Sequence, residues 1–293
     1  MIKDTKTPKE HYALYKSKIS DKDSIKRIVY EENSYLSSPR PYGDIGIDMI
    51  YTIQHQFAIR KAVGLFNRYG KSVFPGNESE EEFGCIDVGS QFDFVTVMSS
   101  FANFVMVDPS LNLPKEQVAF QMPDISLLVS NDEAQKISWI ESESFCLLTS
   151  LHAIEHFGLG RYGDTIDPLG DIRGLKEFNR ILKQGGYFIG SVPIERAGSE
   201  RVAFNKNRIY SIVLIKKMLE DAGFNILEDL VALAPTSSIS RQHPSDVKDK
   251  TVPASRLTSE EFEEAMNFAF SKDETFIKNP PDAAYIWLAQ KNK

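Results

Sequence analysis

The run Cys85-Ile86-Asp87-Val88-Gly89-Ser90 decides how this chain folds, read together with Val105-Met106-Val107-Asp108-Pro109, whose Asp108 lies twenty-one residues beyond Asp87. Each is a short apolar stretch ending at an acidic residue, and the first breaks at a glycine before a helix-compatible segment. A strand that turns sharply through one glycine into a helix lets backbone approach a bound molecule closely. An acidic residue at the end of the second strand is where nucleotide-binding α/β folds hold two ribose hydroxyls, because a carboxylate accepts from both. The two runs therefore predict the first βαβ unit of a parallel sheet, with a ligand crevice at its carboxyl edge.

Outward from this unit the same alternation continues. Apolar runs predict strands over 84–88, 104–107, 118–121, 145–151 and 186–192. Ile172, Leu175, Phe178, Ile181 and Leu182 recur at helical spacing over 170–182, and Lys183-Gln184-Gly185-Gly186 should end that helix and turn the chain into a strand. A second helix over 210–222 closes at Gly223 before a strand over 224–233; a helix over 259–270 and a strand over 283–289 complete the series. The Ser/Pro/charge-rich stretch 234–257 is longer than an ordinary connection, which marks function or mobility.

Residues 1–82 read differently. They are polar and helix-leaning, with two weakly amphipathic stretches before Pro39 and Pro41. A helix follows over 47–69, with Ile50, Ile53, Phe57, Val63, Leu65 and Phe66 on a rough stripe, Gly70 at its end and an acidic connector over 77–82. The expected organisation is a helical N-terminal extension or cap over 1–82 and a doubly wound α/β domain over 83–293.

Thirty-four Lys and Arg against forty-one Asp and Glu give a net charge of −7, so the basic face of a nucleic-acid binder is not expected. The two cysteines, Cys85 and Cys146, sit in apolar strand-like runs, which suits buried thiols in a reducing compartment rather than a disulfide framework. The first twenty residues carry charges without an apolar h-region, and no stretch reaches the roughly 18–20 apolar residues that span a bilayer. A cytoplasmic chain without a membrane span is the expectation.

The glycines narrow the ligand. G-x-G-x-x-G is missing, since Gly89 is followed by Ser90, Gln91, Phe92, Asp93 and Phe94. A pyrophosphate needs the further glycines and S-adenosylmethionine carries no phosphate, so the turn suits the methyl donor better than NAD. The order Asp87-x-Gly89, Asp108, Thr149-Ser150-Leu151-His152 and Leu182-Lys183-Gln184-Gly185-Gly186-Tyr187 resembles the class I S-adenosylmethionine-dependent methyltransferase core, over about residues 83–233. The stretch from Ser150 to Asp164, with Phe204-Asn205 and Arg208-Ile209-Tyr210-Ser211, resembles a branch associated with bacterial surface-polysaccharide synthesis.

That resemblance implies a mostly parallel seven-stranded sheet with its last strand antiparallel, and S-adenosyl-L-methionine as cofactor. By it, Asp87, Gly89 and Ser90 border the methionine part, Asp108 holds the ribose, Asp124 lies near the adenine, and Pro109, Ser150 and Leu151 also belong to the cofactor site. It implies an O-methyltransferase acting on a sugar or sugar-linked group of a surface glycan or its precursor. The chain departs from the family pattern in the absent second and third glycines of the loop.

His152-Ala-Ile-Glu155-His156 also spells H-x-x-E-H, a zinc-peptidase pattern. That pattern needs both histidines on one helix, a turn apart. Here an apolar strand run precedes the segment and Gly158 and Gly160 interrupt any helix, so no metal is expected. The plain reading makes His152 a strand-end cap and His156 a partner for local backbone. The functional reading places both beyond the carboxyl end of a parallel strand, where an imidazole takes a hydroxyl proton. His156 is the first choice of base and His152 the second, with Glu155 orienting either.

Arg161, Tyr162 and Asp164 in the adjoining loop, with Asn205, Arg208 and Tyr210, suit the hydroxyls and anionic oxygens of an acceptor, against a plain reading as loop structure. The expected partner is a small-molecule or glycan acceptor, and a homodimer stays open. Two other functions also stay open: an NAD-dependent sugar-modifying enzyme, and a non-catalytic methyltransferase-like module that binds a partner through its N-terminal helices.

Overall fold

The computed structural model describes residues 8–20, 28–30, 49–69, 84–108, 118–122, 125–130, 134–162, 164–195, 198, 200–204, 206–233, 255–264 and 283–292. Helix α1 (Pro8–Ser17), strand β1 (Ile28–Tyr30) and helix α2 (Met49–Tyr69) come first. Then follow β2 (Cys85–Val88), α3 (Phe92–Met98), β3 (Phe104–Val107), β4 (Val118–Met122), β5 (Ile125–Ser130) and β6 (Phe145–Leu151). The chain continues through α4 (Gly170–Ile181), β7 (Leu182–Pro193), β8 (Arg201–Phe204), β9 (Asn207–Ile209), α5 (Ile212–Asp221), β10 (Phe224–Leu233), β11 (Ser255–Leu257) and β12 (Ala283–Lys291).

The main sheet has the order β11-β10-β12-β7-β6-β2-β3-β5-β4. Strands β5, β3, β2, β6 and β7 are mutually parallel, and β12 inserts antiparallel between β7 and β10. This is the mostly parallel, doubly wound sheet expected of a class I methyltransferase-like fold, with the last strand reversed. Two short antiparallel strands, β4 and β11, extend it at the edges. From β2 the chain first winds outward to β3 and β5, then returns to β6 on the other side of β2. The order of winding reverses there, and such a switch point opens a crevice at the strands' carboxyl ends.

A sheet covered on both faces needs apolar side chains on both faces, which is why β2 and β6 read as near-continuous apolar runs. Ile86, Val88, Leu148, Phe178, Phe188 and Trp287 pack on the side of α4 and α5. Cys85, Leu147, Ile189 and Ile286 pack on the other side, where Ile50, Phe57, Ala58 and Ala62 of α2 join Phe94 and Met98 of α3. Both cysteines are buried and unlinked.

The stretch expected as the third parallel strand, 118–121, is instead the edge strand β4. The third parallel strand is β5, paired back on β4 with Met122 opposite Ile125. The Lys183–Gly186 segment does not separate helix from strand. β7 starts at Leu182, and its ladder with β6 jumps from Leu182 to Tyr187, so the segment bulges within the strand. The helix over 259–270 is helical at 259–264, and its remainder lies outside the described residues. So do most of 234–257, the stretches before Pro39 and Pro41, and the connector 77–82.

A second sheet, β1-β8-β9, was not anticipated; the hairpin β8–β9 pairs with β1 in parallel. Helix α1 lays Tyr12 and Tyr15 against Phe204, with ring centroids 5.5 and 5.0 Å away. Among the described residues, no helix is long and apolar enough to cross a membrane.

Candidate functional site

At the switch point, the turn after β2 is held by its own side chains. Asp87 is fully buried. One carboxylate oxygen accepts the Ser90 N–H (3.0 Å) and the other accepts the Thr149 hydroxyl (2.6 Å). Burial pushes the Asp87 carboxyl up to about 7, against the pull of the Ser90 and Thr149 hydrogen bonds. The Ser90 hydroxyl accepts the Leu151 N–H (2.9 Å) and the Ser150 hydroxyl donates to the Val88 carbonyl (2.8 Å), so β2 and β6 are stitched together at their ends. Gly89 has φ +78° and donates its N–H to the Val107 carbonyl (2.9 Å); a Cβ there would lie 2.8 Å from the Ala153 side chain.

Asp108 follows β3 directly and is half-buried. Its charge bears on Asp87 and on Tyr162, which places it beside the same crevice. Asp93, in the first turn of α3, accepts the Phe94 N–H (2.9 Å).

Strand β6 ends at His152 in a left-handed backbone conformation, φ +52°. A side chain held there is strained, and such strain gathers at functional junctions. The His152 N–H is shared between the Ser191 carbonyl and hydroxyl oxygens, both at 3.1 Å. His152 Nδ1 lies 3.1 Å from Glu155 Oε1. The carboxylate only accepts, so Nδ1 carries a proton, and the neutral tautomer with that proton has its lone pair at Nε2. A single 3₁₀ turn, Ile154–His156, brings His156 to the other side of Glu155, its Nε2 3.8 Å from the same Oε1. The two histidines thus meet one buried carboxylate and do not share a helix.

His156 Nδ1 lies 2.6 Å from the Lys206 carbonyl, to which it donates. Arg161 Nη1 donates to that carbonyl as well, at 2.9 Å. The 3.4 Å approach of this guanidinium to Nδ1 is therefore two donors converging on one acceptor rather than a bond between them. Burial carries the His156 imidazole down to about 4, and the Arg161 charge adds to it, so the ring is neutral near pH 7. Burial alone would raise Glu155, but His156 and His152 outweigh it and hold the carboxyl below its ordinary value.

The residues expected to bind an acceptor divide. Arg161 lies over the Tyr162 ring, which is 40% exposed and meets His156 edge-on, so these two form a lip on the crevice. Asp164 closes its own loop by accepting from the Gly158 and Tyr162 N–H groups at 2.8 and 3.2 Å. Arg208 and Tyr210 are tied into the fold. Arg208 is buried, donates to the Phe157, Asp167 and Pro168 carbonyls and pairs with Asp171 at 3.4 Å, while the Tyr210 hydroxyl donates to Asp171 at 3.0 Å. Their polar atoms clamp β9 to the start of α4. Pro109, Asp124 and Asn205 lie outside the described residues.

Sequence reasoning passed over the residues that roof the crevice. Gln54 is fully buried and accepts the Ser191 hydroxyl at 2.7 Å. Tyr51, one turn earlier, sets its ring 5.4 Å from that of His152, and His55 stacks on Phe94 of α3 at 5.0 Å. The signal was a polar residue inside the Ile50, Ile53, Phe57 stripe, on the face that turns to the core.

A family described as "Caenorhabditis protein of unknown function, DUF268" matches residues 88–252, more than half of the chain. No curated protein matches the sequence. Among solved structures, a putative sarcosine dimethylglycine methyltransferase from Galdieria sulphuraria is 12% identical over 89% of this chain and 94% of that one, with a TM-score of 0.49. A putative methyltransferase from Bacillus halodurans C-125 is 17% identical over 80% and 100%, at 0.45. The Haemonchus contortus phosphoethanolamine N-methyltransferase 2, in complex with phosphomonomethylethanolamine and S-adenosylhomocysteine, is 14% identical over 80% and 53%, at 0.45. At such identities the likeness transfers no activity and no residue role.

Proposed function

The chain belongs to the DUF268 family, and on that premise we propose that it is an S-adenosylmethionine-dependent O-methyltransferase acting on a sugar or sugar-linked hydroxyl of a surface glycan or its precursor. The carrying observation is that a one-glycine turn, the Asp108 carboxylate and the His152–Glu155 pair follow the carboxyl ends of β2, β3 and β6 at the switch point.

The turn itself supports the cofactor. The Gly89 and Ser90 amides are spent on Val107 and Asp87, and Asp93 stands in the first turn of α3, where a phosphate would otherwise be favoured. A pyrophosphate is thereby disfavoured, whereas a cationic, phosphate-free ligand suits the acidic Asp93 and Asp108. Asp108 would hold the ribose hydroxyls. When bound there, S-adenosylmethionine would supply an electrophilic methyl for transfer to the acceptor oxygen, with its sulfur keeping the electron pair.

The protein's part is to align that oxygen and remove its proton. The sequence favours His156 as base; the hydrogen bonds of the two rings support His152 ahead of it. His156 donates Nδ1–H to Lys206 and turns Nε2 toward Glu155. His152 has its Nδ1–H fixed on Glu155 and its Nε2 lone pair left over. The imidazolium formed on proton uptake would be stabilised by the same carboxylate. The sugar-type acceptor rests on the resemblance of the Ser150–Asp164 stretch and on the Arg161–Tyr162 lip, which offers a charge and an aromatic face.

Calorimetry with S-adenosylmethionine, S-adenosylhomocysteine and NAD tests the reading. Binding of the first two and not the third is expected. NAD binding alone would replace it with the sugar-modifying dehydrogenase, and no binding at all with a non-catalytic module. Methyl transfer is then screened on nucleotide sugars and capsule-type glycans.

A further inference from the structure

Two buried polar atoms beside the crevice lack a hydrogen-bond partner among the described residues: Gln54 Nε2, a donor, and His152 Nε2, an acceptor in the tautomer that Glu155 imposes. Leaving a buried polar group unmade is costly, and native proteins keep few such groups. Both belong to one network. Gln54 Oε1 accepts the Ser191 hydroxyl, and the Ser191 oxygens accept the His152 N–H, so Ser191 fixes which end of the amide is free and where the imidazole stands. Gln54 shows no exposed surface, and Tyr51 on the same helix face packs on His152.

A ligand atom that meets both groups must accept a proton from an amide and donate one to an imidazole. A carboxylate or phosphate oxygen only accepts and would set lone pair against lone pair at His152, whereas an ammonium only donates and would oppose the amide. An alcohol hydroxyl does both. We infer that Gln54, carried by α2, is a specificity-determining residue that holds a neutral hydroxyl of the acceptor between its side-chain amide and His152 Nε2.

This rests on the methyltransferase reading and refines it. The N-terminal extension completes the acceptor site, and the accepted nucleophile is an alcohol rather than a carboxylate or amine. Ser191 is the hinge of the arrangement, because it bonds to both Gln54 and His152.

The test uses the full chain with ¹⁵N-labelled histidine, saturated with S-adenosylhomocysteine, and methyl β-D-glucoside, glycerol and acetate as probes. The sugar and glycerol should shift the His152 Nε2 resonance, and acetate should not. Gln54→Met, which keeps the length and removes the amide, should weaken the sugar's effect at least tenfold and leave S-adenosylhomocysteine affinity unchanged. Gln54→Glu, which keeps the acceptor for Ser191 and replaces the donor, should do the same and covers the case in which the methionine variant misfolds. A His152 resonance that no hydroxyl probe moves, or one that responds equally in wild type and both variants, overturns the inference while the methyltransferase reading stands. Absence of S-adenosylhomocysteine binding to the wild type strikes at that reading instead.

Discussion

The turn after β2 and the junction after β6 adjoin at the carboxyl ends of two paired strands and are built on opposite principles. In the turn, Asp87, Ser90 and Thr149 satisfy one another, and Gly89 spends its amide on Val107. In the junction, the backbone is strained at His152, and Gln54, His152 and Glu155 each keep a buried polar atom without a partner among the described residues. A closed network gives a rigid wall, and an unfinished one stores an unmet demand that a ligand meets. The difference assigns the turn to shape and the junction to chemistry.

The sharpest break in that comparison comes at the base. His152→Ala should cut methyl transfer by about 10²–10⁴-fold and leave S-adenosylhomocysteine affinity nearly intact. His156→Ala should lower turnover less, through Glu155 and the Lys206 loop. Steady-state kinetics on the first acceptor found checks the order; equal losses in the two variants would make the pair act as a unit, and a larger loss at His156 would restore it as the base.

Beside the turn, Asp108→Ala should weaken S-adenosylhomocysteine by roughly 2–3 kcal/mol, the scale of charge-assisted hydrogen bonds. Calorimetry on the folded variant reads this directly, and unchanged affinity removes Asp108 from the ribose. Gly89→Ala should cost about 1–3 kcal/mol of stability, since φ +78° and the Ala153 contact at 2.8 Å both oppose a Cβ. A variant as stable as wild type in urea would show that the turn yields rather than resists.

What the sequence made legible follows the same divide. The turn is local: Asp87, Gly89 and Ser90 adjoin one another, and β2, β3, β6 and β7 follow from apolar runs read in turn. The junction depends on residues far apart in the chain. Gln54 and Ser191 are 137 positions apart, and nothing around either names the other. Arg208 shows why acceptor residues were harder to find. A buried arginine clamping carbonyls and an arginine awaiting an anion look alike in sequence, and only the approach of Asp171 and Phe157 separates them. Three-residue β1 carries too little pattern to register, since its pairing with β8 spans most of the chain.

The smallest expected effect sets the two walls against each other by pH. Asp87 has a folded pKa of about 7, above its unfolded value, so the stability it contributes is complete at low pH and is lost as pH rises through 7. His156 has a folded pKa of about 4, below its unfolded value, so its contribution is present at neutral pH and is lost as pH falls through 4. Between pH 4 and 6.5 the two slopes oppose each other, each limited to roughly 1.4 kcal/mol per pH unit, and in the wild type they largely cancel. Asp87→Asn keeps an acceptor for the turn and removes one slope, so its stability relative to wild type should rise with pH across this window. His156→Asn keeps a donor for the Lys206 carbonyl and removes the other, so its relative stability should fall. Urea unfolding at pH 4.5, 5.5 and 6.5 measures both. Diverging lines would show that each wall holds its buried group in the protonation state that burial dictates; parallel lines for the two variants would mean that neither group is enclosed as the structure places it.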